Sequence, residues 1–117
     1  MGEFYGRLRE AWEAFVEHEL LNGAVKAHEP GIHTQNLKAV GVSTADYKTI
    51  HFAMAKCSRW LIGHKESPAA DVNRPKPEEL RSDIEALASF SKAIRSENDE
   101  RRKEREAALQ PPTTAIG

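Results

Sequence analysis

The sequence predicts an all-α fold: an open bundle of three main helices with a short connecting helix and a charged, partly solvated C-terminal helix extension. Two observations carry this prediction. Apolar residues recur at three- and four-residue steps in three separate segments, whereas alternation with period two is nowhere sustained and no Gly-rich turn follows an extended run. Helices with apolar stripes on single faces bury those stripes against one another, which gives a bundle.

The first helix is predicted from Glu3 to about His28. Pro30 and Gly31 then stop it, because proline lacks a backbone donor and disfavours helical angles in the residue before it. Asn22-Gly23 marks a place where the helix can break, since glycine costs about 1 kcal/mol in a helix interior. The apolar stripe of this helix is Phe4, Leu8, Ala11, Trp12, Phe15, Val16, Leu20, Ala24 and Val25.

A short helix is predicted between residues 32 and 41, and a second long helix follows with Ser43 or Thr44 as its cap. Gly63 is placed to end that helix in a left-handed conformation, and the prolines beyond it indicate a long loop. The stripe of the second helix is Tyr47, Ile50, Met54, Cys57 and Leu61.

A third helix is predicted to begin at Pro77, because proline suits the first turn and the glutamates after it face the positive end of the helix dipole. From Arg95 to Glu106 the sequence is almost entirely charged or polar, so the helix is expected to run beyond the core. The sequence from Gln110 onward is expected to be disordered. Its apolar stripe is Leu80, Ile84, Leu87, Phe90 and Ile94.

The length of 117 residues suits one small domain and excludes a two-domain enzyme. We expect residues 1–95 to form the helical bundle domain, and residues 96–117 to form a charged helix extension and disordered tail. With 17 Lys and Arg against 18 Asp and Glu, the net charge is −1, which argues against a dominant electrostatic attraction to nucleic acid.

The single cysteine, Cys57, cannot form an internal disulfide, and no secretory signal is recognisable. A reducing, cytoplasmic setting is therefore expected. No window approaches the apolar length of a membrane span, so no membrane partner is expected.

Motifs that support most enzyme classes are missing from the sequence: it contains no phosphate-binding Gly-rich loop, no nucleophile elbow and no His-Glu-x-x-His pair. Arg59 and His64 have the spacing of the Arg-x4-6-His signature of HEPN-type ribonucleases. In such a site the histidine takes the ribose 2′-hydroxyl proton and the arginine stabilises the charged phosphate, without a metal. About one such pair is expected by chance in a chain of this composition, and the competing interpretation is a solvated helix residue followed by a loop residue.

Zinc binding by His51, Cys57 and His64 is a weaker interpretation, because these spacings do not gather ligands along a helix and a fourth ligand is missing. No metal and no cofactor are therefore predicted. Trp12, Phe15 and Trp60 are interpreted as core residues rather than as a partner-binding face or base-stacking platform. The mixed run 101–105 is interpreted as a solvated helix surface rather than as a phosphate site.

Several blocks occur in a recognisable order: Leu8-Arg9-Glu10-Ala11-Trp12-Glu13, Leu20-Leu21-Asn22-Gly23, Thr34-Gln35-Asn36-Leu37-Lys38, Lys56-Cys57-Ser58-Arg59-Trp60, Gly63-His64 and Asp83-Ile84-Glu85-Ala86-Leu87. Together they resemble the C-terminal region of bacterial AAA-family ATPases with RecF/SMC-like heads and coiled coils, a group that includes anticodon-nuclease-like proteins. The resemblance covers about Phe4 to Arg95. It implies a piece of a larger protein whose P-loop ATPase lies elsewhere. In the nuclease members a HEPN-like helical tail cleaves RNA, and Arg59 and His64 are the residues that map to that role.

The sequence thus favours a helical interaction or dimerisation module of such an ATPase, without nucleotide-binding motifs of its own. Its expected partner is protein, either a second copy or the ATPase head of the parent protein. The alternative is a metal-independent HEPN-like ribonuclease that uses Arg59 and His64 on RNA.

Overall fold

The computed structural model describes residues 2–63 and 75–110, with backbone alone for residues 61–63. Five helical elements occupy these ranges: α1 (Gly2–Phe15), a π-helical turn (Val16–Leu20), a 3-10 helix (Thr34–Ala39), α2 (Thr44–Gly63) and α3 (Pro77–Ala108). Neither range contains a strand, and the predicted all-α bundle is confirmed. The predictions for the Leu61 side chain, for the loop over 64–74 and for the tail over 111–117 lie outside the described residues.

Helix α1 presents a narrow apolar face at steps of three and four residues. Tyr5, Leu8, Trp12 and Phe15 are all buried on it, whereas Phe4 is exposed. The prediction was therefore wrong for Phe4, and it missed Tyr5. The reason is geometric: Tyr5 continues the three-four-three spacing of the other buried residues, and Phe4 is rotated about 100° away from it.

The first helix ends earlier than predicted, at Leu20 rather than near His28. The last turn widens so that the Leu21 amide donates to the Val16 carbonyl over 2.9 Å. Asn22 and Gly23 then adopt left-handed backbone angles, with φ of 50° and 70°. Only a residue that tolerates positive φ fits there, so the Asn22-Gly23 break ends the helix before Pro30 is reached.

The predicted short helix is present as the 3-10 helix. The Asn22 side chain donates to the Asn36 carbonyl over 3.0 Å, and the His33 amide donates to the Ala24 carbonyl over 2.7 Å. These bonds hold the connecting segment against the end of the first helical run.

Helix α2 starts with a reciprocal cap. The Asp46 amide donates to Ser43 Oγ over 3.0 Å, and the Ser43 amide donates to Asp46 Oδ2 over 3.1 Å. Two otherwise unpaired amides are satisfied in this way, which confirms Ser43 as the cap. In the predicted stripe Cys57 is buried, but Tyr47 is 60% exposed. Ten residues at about 100° each rotate Tyr47 about 80° from Cys57, which takes it out of the core.

Helix α3 begins at Pro77 as predicted and runs for 32 residues, a length of about 48 Å. Ile94 is buried, but Ile84 is 50% exposed and is a further error in the predicted stripes, as are Phe4, Tyr47 and Val25. Ile84 also lies ten residues from the buried position, so the same rotation of about 80° applies.

The core lies where α1 packs between the other two long helices. Trp12, Phe15 and Phe90 form an aromatic cluster with ring centroids 5.4 to 5.8 Å apart. The buried members of the core are Tyr5, Leu8, Trp12, Phe15, Leu20, Cys57 and Ile94. Within the described ranges, no helix is both long enough and apolar enough to cross a bilayer.

The charged extension of α3 remains in contact with the body of the protein. Arg105 Nη1 donates to the carbonyls of Leu37 and Val40 over 2.8 and 2.7 Å. Asn98, about two turns nearer the core, donates to the Glu19 carbonyl over 2.8 Å. The extension therefore secures the 3-10 helix, while most of its other side chains are exposed.

Candidate functional site

The pair predicted as catalytic is only half described. Arg59 lies exposed in the last turns of α2, with its guanidinium carbon 5.4 Å from the centroid of the Trp60 ring. His64 lies outside the described residues, so the distance between the two side chains is not part of the structure. The Arg59–His64 hypothesis therefore stays a prediction.

Two of the three residues considered for zinc are described, and they do not converge. Cys57 is buried in the core, whereas His51 is exposed. Six residues along a helix rotate the two side chains about 120° apart. In the described part of the chain, no three His, Cys, Asp or Glu side chains are grouped as a metal site would need.

A polar cluster that sequence reasoning missed joins all three long helices. Asp83 Oδ2, on α3, accepts from the Tyr5 hydroxyl of α1 over 2.5 Å and pairs with Lys56 Nζ of α2 at 2.9 Å. Lys56 also pairs with Glu79 Oε2 at 2.6 Å. Tyr5, Lys56 and Asp83 border a cavity of about 50 Å³ beside Cys57, which is too small for a typical organic ligand.

The protonation states of Tyr5 and Lys56 favour contacts that hold the helices together rather than proton transfer. Burial, assisted by the Asp83 carboxylate, raises the pKa of Tyr5 far above its ordinary value. Burial opposes the charge of Lys56, but its hydrogen bonds and ion pairs with Glu79 and Asp83 leave its pKa raised. Tyr5 is therefore a neutral donor and Lys56 a cation near neutral pH.

Cys57 is not activated as a nucleophile. Burial raises the pKa of its thiol, and the nearby Asp83 carboxylate raises it further, against smaller opposing effects of Arg9 and Lys56. The reactive form of cysteine is the thiolate, so a thiol with a raised pKa is inert at neutral pH. Cys57 acts as a small core residue.

Exposed aromatic and basic side chains gather on one side of α2, and we call this surface the α2 face. On it, the rings of Tyr47 and His51 are stacked with centroids 5.8 Å apart, and Phe52 meets His51 edge-on at 5.2 Å. Lys48 and Arg59 are exposed on the same side of the helix. The only acidic residue of α2, Asp46, is buried in the helix cap.

The α2 face results from the same rotation that removes Tyr47 from the core. Phe52 is 66% exposed because it is rotated about 140° from Cys57. A sequence signal for this face existed. Lys48, His51, Phe52 and Arg59 lie about 120° or more around the helix from Cys57, and Tyr47 lies at the edge of the face, about 80° from Cys57. The polar cluster offered a weaker signal, because Tyr5 and Asp83 are 78 residues apart.

Comparisons of this chain with protein-family models, with curated proteins and with solved structures find no match.

Proposed function

We propose that this chain is a helical protein-interaction module that associates with itself through the α2 face. The observation that carries the proposal is the exposure of Tyr47 and Phe52, at 60% and 66%, beside His51 in one continuous aromatic surface. Aromatic side chains gathered on a surface gain free energy when a partner covers them, and they are enriched at protein interfaces.

The polar cluster supports an interaction role by its chemistry. Tyr5, Lys56 and Asp83 tie the helices together, and the raised pKa values of Tyr5 and Lys56 keep these two groups protonated at neutral pH. The helix that carries the α2 face is therefore held rigidly on α1. A rigid helix surface loses little conformational entropy when it docks, which favours binding.

We also propose that the module serves as the C-terminal interaction region of a bacterial AAA-family ATPase in the cytoplasm. The support is the order of the sequence blocks, together with the part those blocks play in the fold. Asn22 bonds to the Asn36 carbonyl, and Lys56 pairs with Asp83, so residues of four different blocks meet in two tertiary contacts. The blocks thus include residues that join the helices.

The direct test is to measure the molar mass of the full chain in solution from about 10 μM to 1 mM, a range that covers weak association. We expect a mass above the 13.1 kDa of one chain that increases with concentration. Phe52→Ser is expected to weaken self-association at least tenfold, because Phe52 has a higher exposed fraction than Tyr47 on the α2 face.

Leu109→Ser is the matched control, since Leu109 is 82% exposed but lies at the far end of α3. It is expected to leave self-association unchanged. A wild-type chain that stays at one copy throughout the concentration range contradicts the proposal, and so does equal weakening by the two variants.

A second candidate is metal-independent RNA cleavage by Arg59 and His64. The observation in its favour is that Arg59 is exposed beside an aromatic surface and rests against Trp60, because base stacking and phosphate contact use such groups. If this function holds, the full chain cleaves RNA in EDTA and His64→Ala abolishes cleavage. Absence of cleavage, or equal cleavage by His64→Ala and wild type, rejects it.

A further inference from the structure

A groove with an apolar floor and an acidic rim runs along the side of α1 that faces away from Trp12. Its floor is formed by apolar residues of α1, the π-helical turn and the segment that follows: Ala14, Val16, Leu21, Val25 and Ala27. Its rim carries Glu10 and Glu13 of α1 and Glu17 of the π-helical turn, which lie on one side of this helical run at steps of three and four residues. We call this surface the acidic groove.

Hydrogen bonds donated by backbone amides fix the shape of the acidic groove. Asn22 and Gly23, both with positive φ, turn the chain back toward α1. The Gly23 amide donates to the Glu17 carbonyl over 2.9 Å, and the Ala27 amide donates to Glu17 Oε1 over 2.6 Å. The far wall of the groove is therefore fixed to α1 before any partner binds.

The charge of the acidic groove selects a cationic partner. Its lining contains three glutamates and no lysine or arginine. Arg9 pairs with Glu13 at 3.3 Å from outside the lining, but Glu10 and Glu17 add further negative charge to the rim. An apolar floor with such a rim matches a helix that carries apolar and basic side chains on one face.

This chain carries such a helix face. The α2 face presents Phe52 between the cations Lys48 and Arg59 along the helix axis, and Tyr47 lies at the edge of this face. Lys48 and Arg59 are about 16 Å apart along the helix axis, and Glu10 and Glu17 are about 10 Å apart along theirs. Lys48 and Arg59 have long, flexible side chains, which can bend toward each other and so make up the difference between these two distances.

We propose that the α2 face of one copy docks in the acidic groove of a second copy, with Phe52 on the apolar floor and Lys48 and Arg59 against the glutamates. This inference rests on the self-association proposed above and names the surface that receives the α2 face. The two surfaces are different, so the contact is head-to-tail. After each such contact, the assembly still has one free α2 face and one free acidic groove. Further copies can therefore add until a ring closes or an open chain forms.

A second groove, between α1 and α3, fits this partner less well. Ala11, Ile84 and Leu87 contribute apolar surface there, but Arg95 and His18 line it beside Glu19. Arg95 pairs with Glu19 at 3.0 Å, so the carboxylate of this groove is already neutralised and attracts Lys48 or Arg59 of an incoming helix only weakly. Charge complementarity therefore favours the acidic groove.

The test uses two charge-reversed variants of the full chain, each compared with wild type by sedimentation. The groove variant is Glu10→Lys with Glu13→Lys, which leaves Glu17 and its bond to the Ala27 amide intact. The face variant is Lys48→Glu with Arg59→Glu. All four side chains are solvent-accessible, and circular dichroism checks that both variants keep wild-type helix content and thermal stability.

We expect each variant alone to remain at one copy per particle, because like charges then face each other in every head-to-tail contact. An equimolar mixture is expected to assemble again, since the negative face of one variant matches the positive groove of the other. At about 1 M salt, where charges are screened beyond about 3 Å, the mixture and wild type should both assemble more weakly.

A groove variant that assembles like wild type overturns this inference while the proposed self-association stands, because the α2 face then meets another surface. A mixture that fails to assemble also overturns the inference. A wild-type chain that never assembles overturns the inference and the proposed function together.

Discussion

Tyr5 shows how much a single side chain contributes to this fold. It is fully buried on α1, and its hydroxyl donates to Asp83 of α3 across 78 residues of sequence. The ring belongs to the apolar core, and the hydroxyl belongs to the polar cluster with Lys56. One residue thus couples hydrophobic packing to a charge-assisted hydrogen bond, which is stronger than a hydrogen bond between neutral groups.

Replacing Tyr5 with phenylalanine removes the hydroxyl and keeps the ring. We expect a loss of about 1.5 to 3 kcal/mol in the free energy of unfolding at pH 7, as is typical when a hydrogen bond to a charged group is lost. Urea unfolding measures it. Tyr47→Phe is the control, because Tyr47 is exposed, and its stability should equal that of wild type.

The same pair of proteins gives a pH test. The pKa of Tyr5 is raised in the folded protein, so folded chains keep the phenolic proton while unfolded chains lose it above about pH 10. Proton release then favours unfolding, and the stability that Tyr5 contributes declines as the pH increases. The advantage of wild type over Tyr5→Phe should shrink between pH 9 and about pH 11. An advantage that stays constant or grows over this range contradicts the assigned shift.

At the scale of elements, the charged end of α3 secures the connecting segment. Arg105 donates to the carbonyls of Leu37 and Val40, at the C-terminal end of the 3-10 helix. A cation is well placed there because carbonyls at a helix end carry partial negative charge and lack partners within the helix.

Arg105→Ala should therefore loosen the 3-10 helix without unfolding the bundle. We expect amide exchange at Val40, whose amide donates to the Leu37 carbonyl over 3.0 Å, to speed up several-fold. Hydrogen exchange measured by NMR checks this. Arg102→Ala is the matched control, because Arg102 pairs with Asp99 of its own helix, and it should leave Val40 unchanged. Equal exchange of the Val40 amide in Arg105→Ala and wild type would contradict a stabilising role of Arg105 at the 3-10 helix.

Local signals predicted the starts of the helices better than their ends and faces. Ser43 and Pro77 act through bonds and angles within a few residues, so their effects are readable in sequence. The end of the first helical run depends on left-handed angles at Asn22 and Gly23, and the Asn22 side chain also contacts Asn36. Apolar stripes counted at steps of three and four drift around a helix, which misplaced Tyr47 and Ile84.

The candidate site was predicted less well than the fold. The residues singled out for chemistry were Arg59 and His64, of which the structure describes only Arg59. The contacts that join the helices, such as Tyr5 with Asp83, link positions far apart in sequence and carry no local pattern. The α2 face appears only once the buried side of α2 is known, because an exposed aromatic residue looks like a core residue in a stripe.

In the whole molecule, the residues that join the helices differ from those of the two surfaces that we propose for self-association. Polar and aromatic contacts hold α1, α2 and α3 together. Two complementary surfaces remain exposed: the α2 face is cationic and aromatic, and the acidic groove is acidic and apolar. A chain with two complementary surfaces has the means to bind copies of itself without closing as a simple two-fold dimer.

Sedimentation velocity of the wild-type chain beside Phe52→Ser measures whether the α2 face mediates self-association. We predict that wild type forms particles heavier than 13.1 kDa that grow with concentration, while Phe52→Ser stays at one copy at concentrations where wild type associates. Two results contradict self-association through the α2 face: a wild-type chain that sediments as one copy at every concentration, and a Phe52→Ser variant that associates as wild type does.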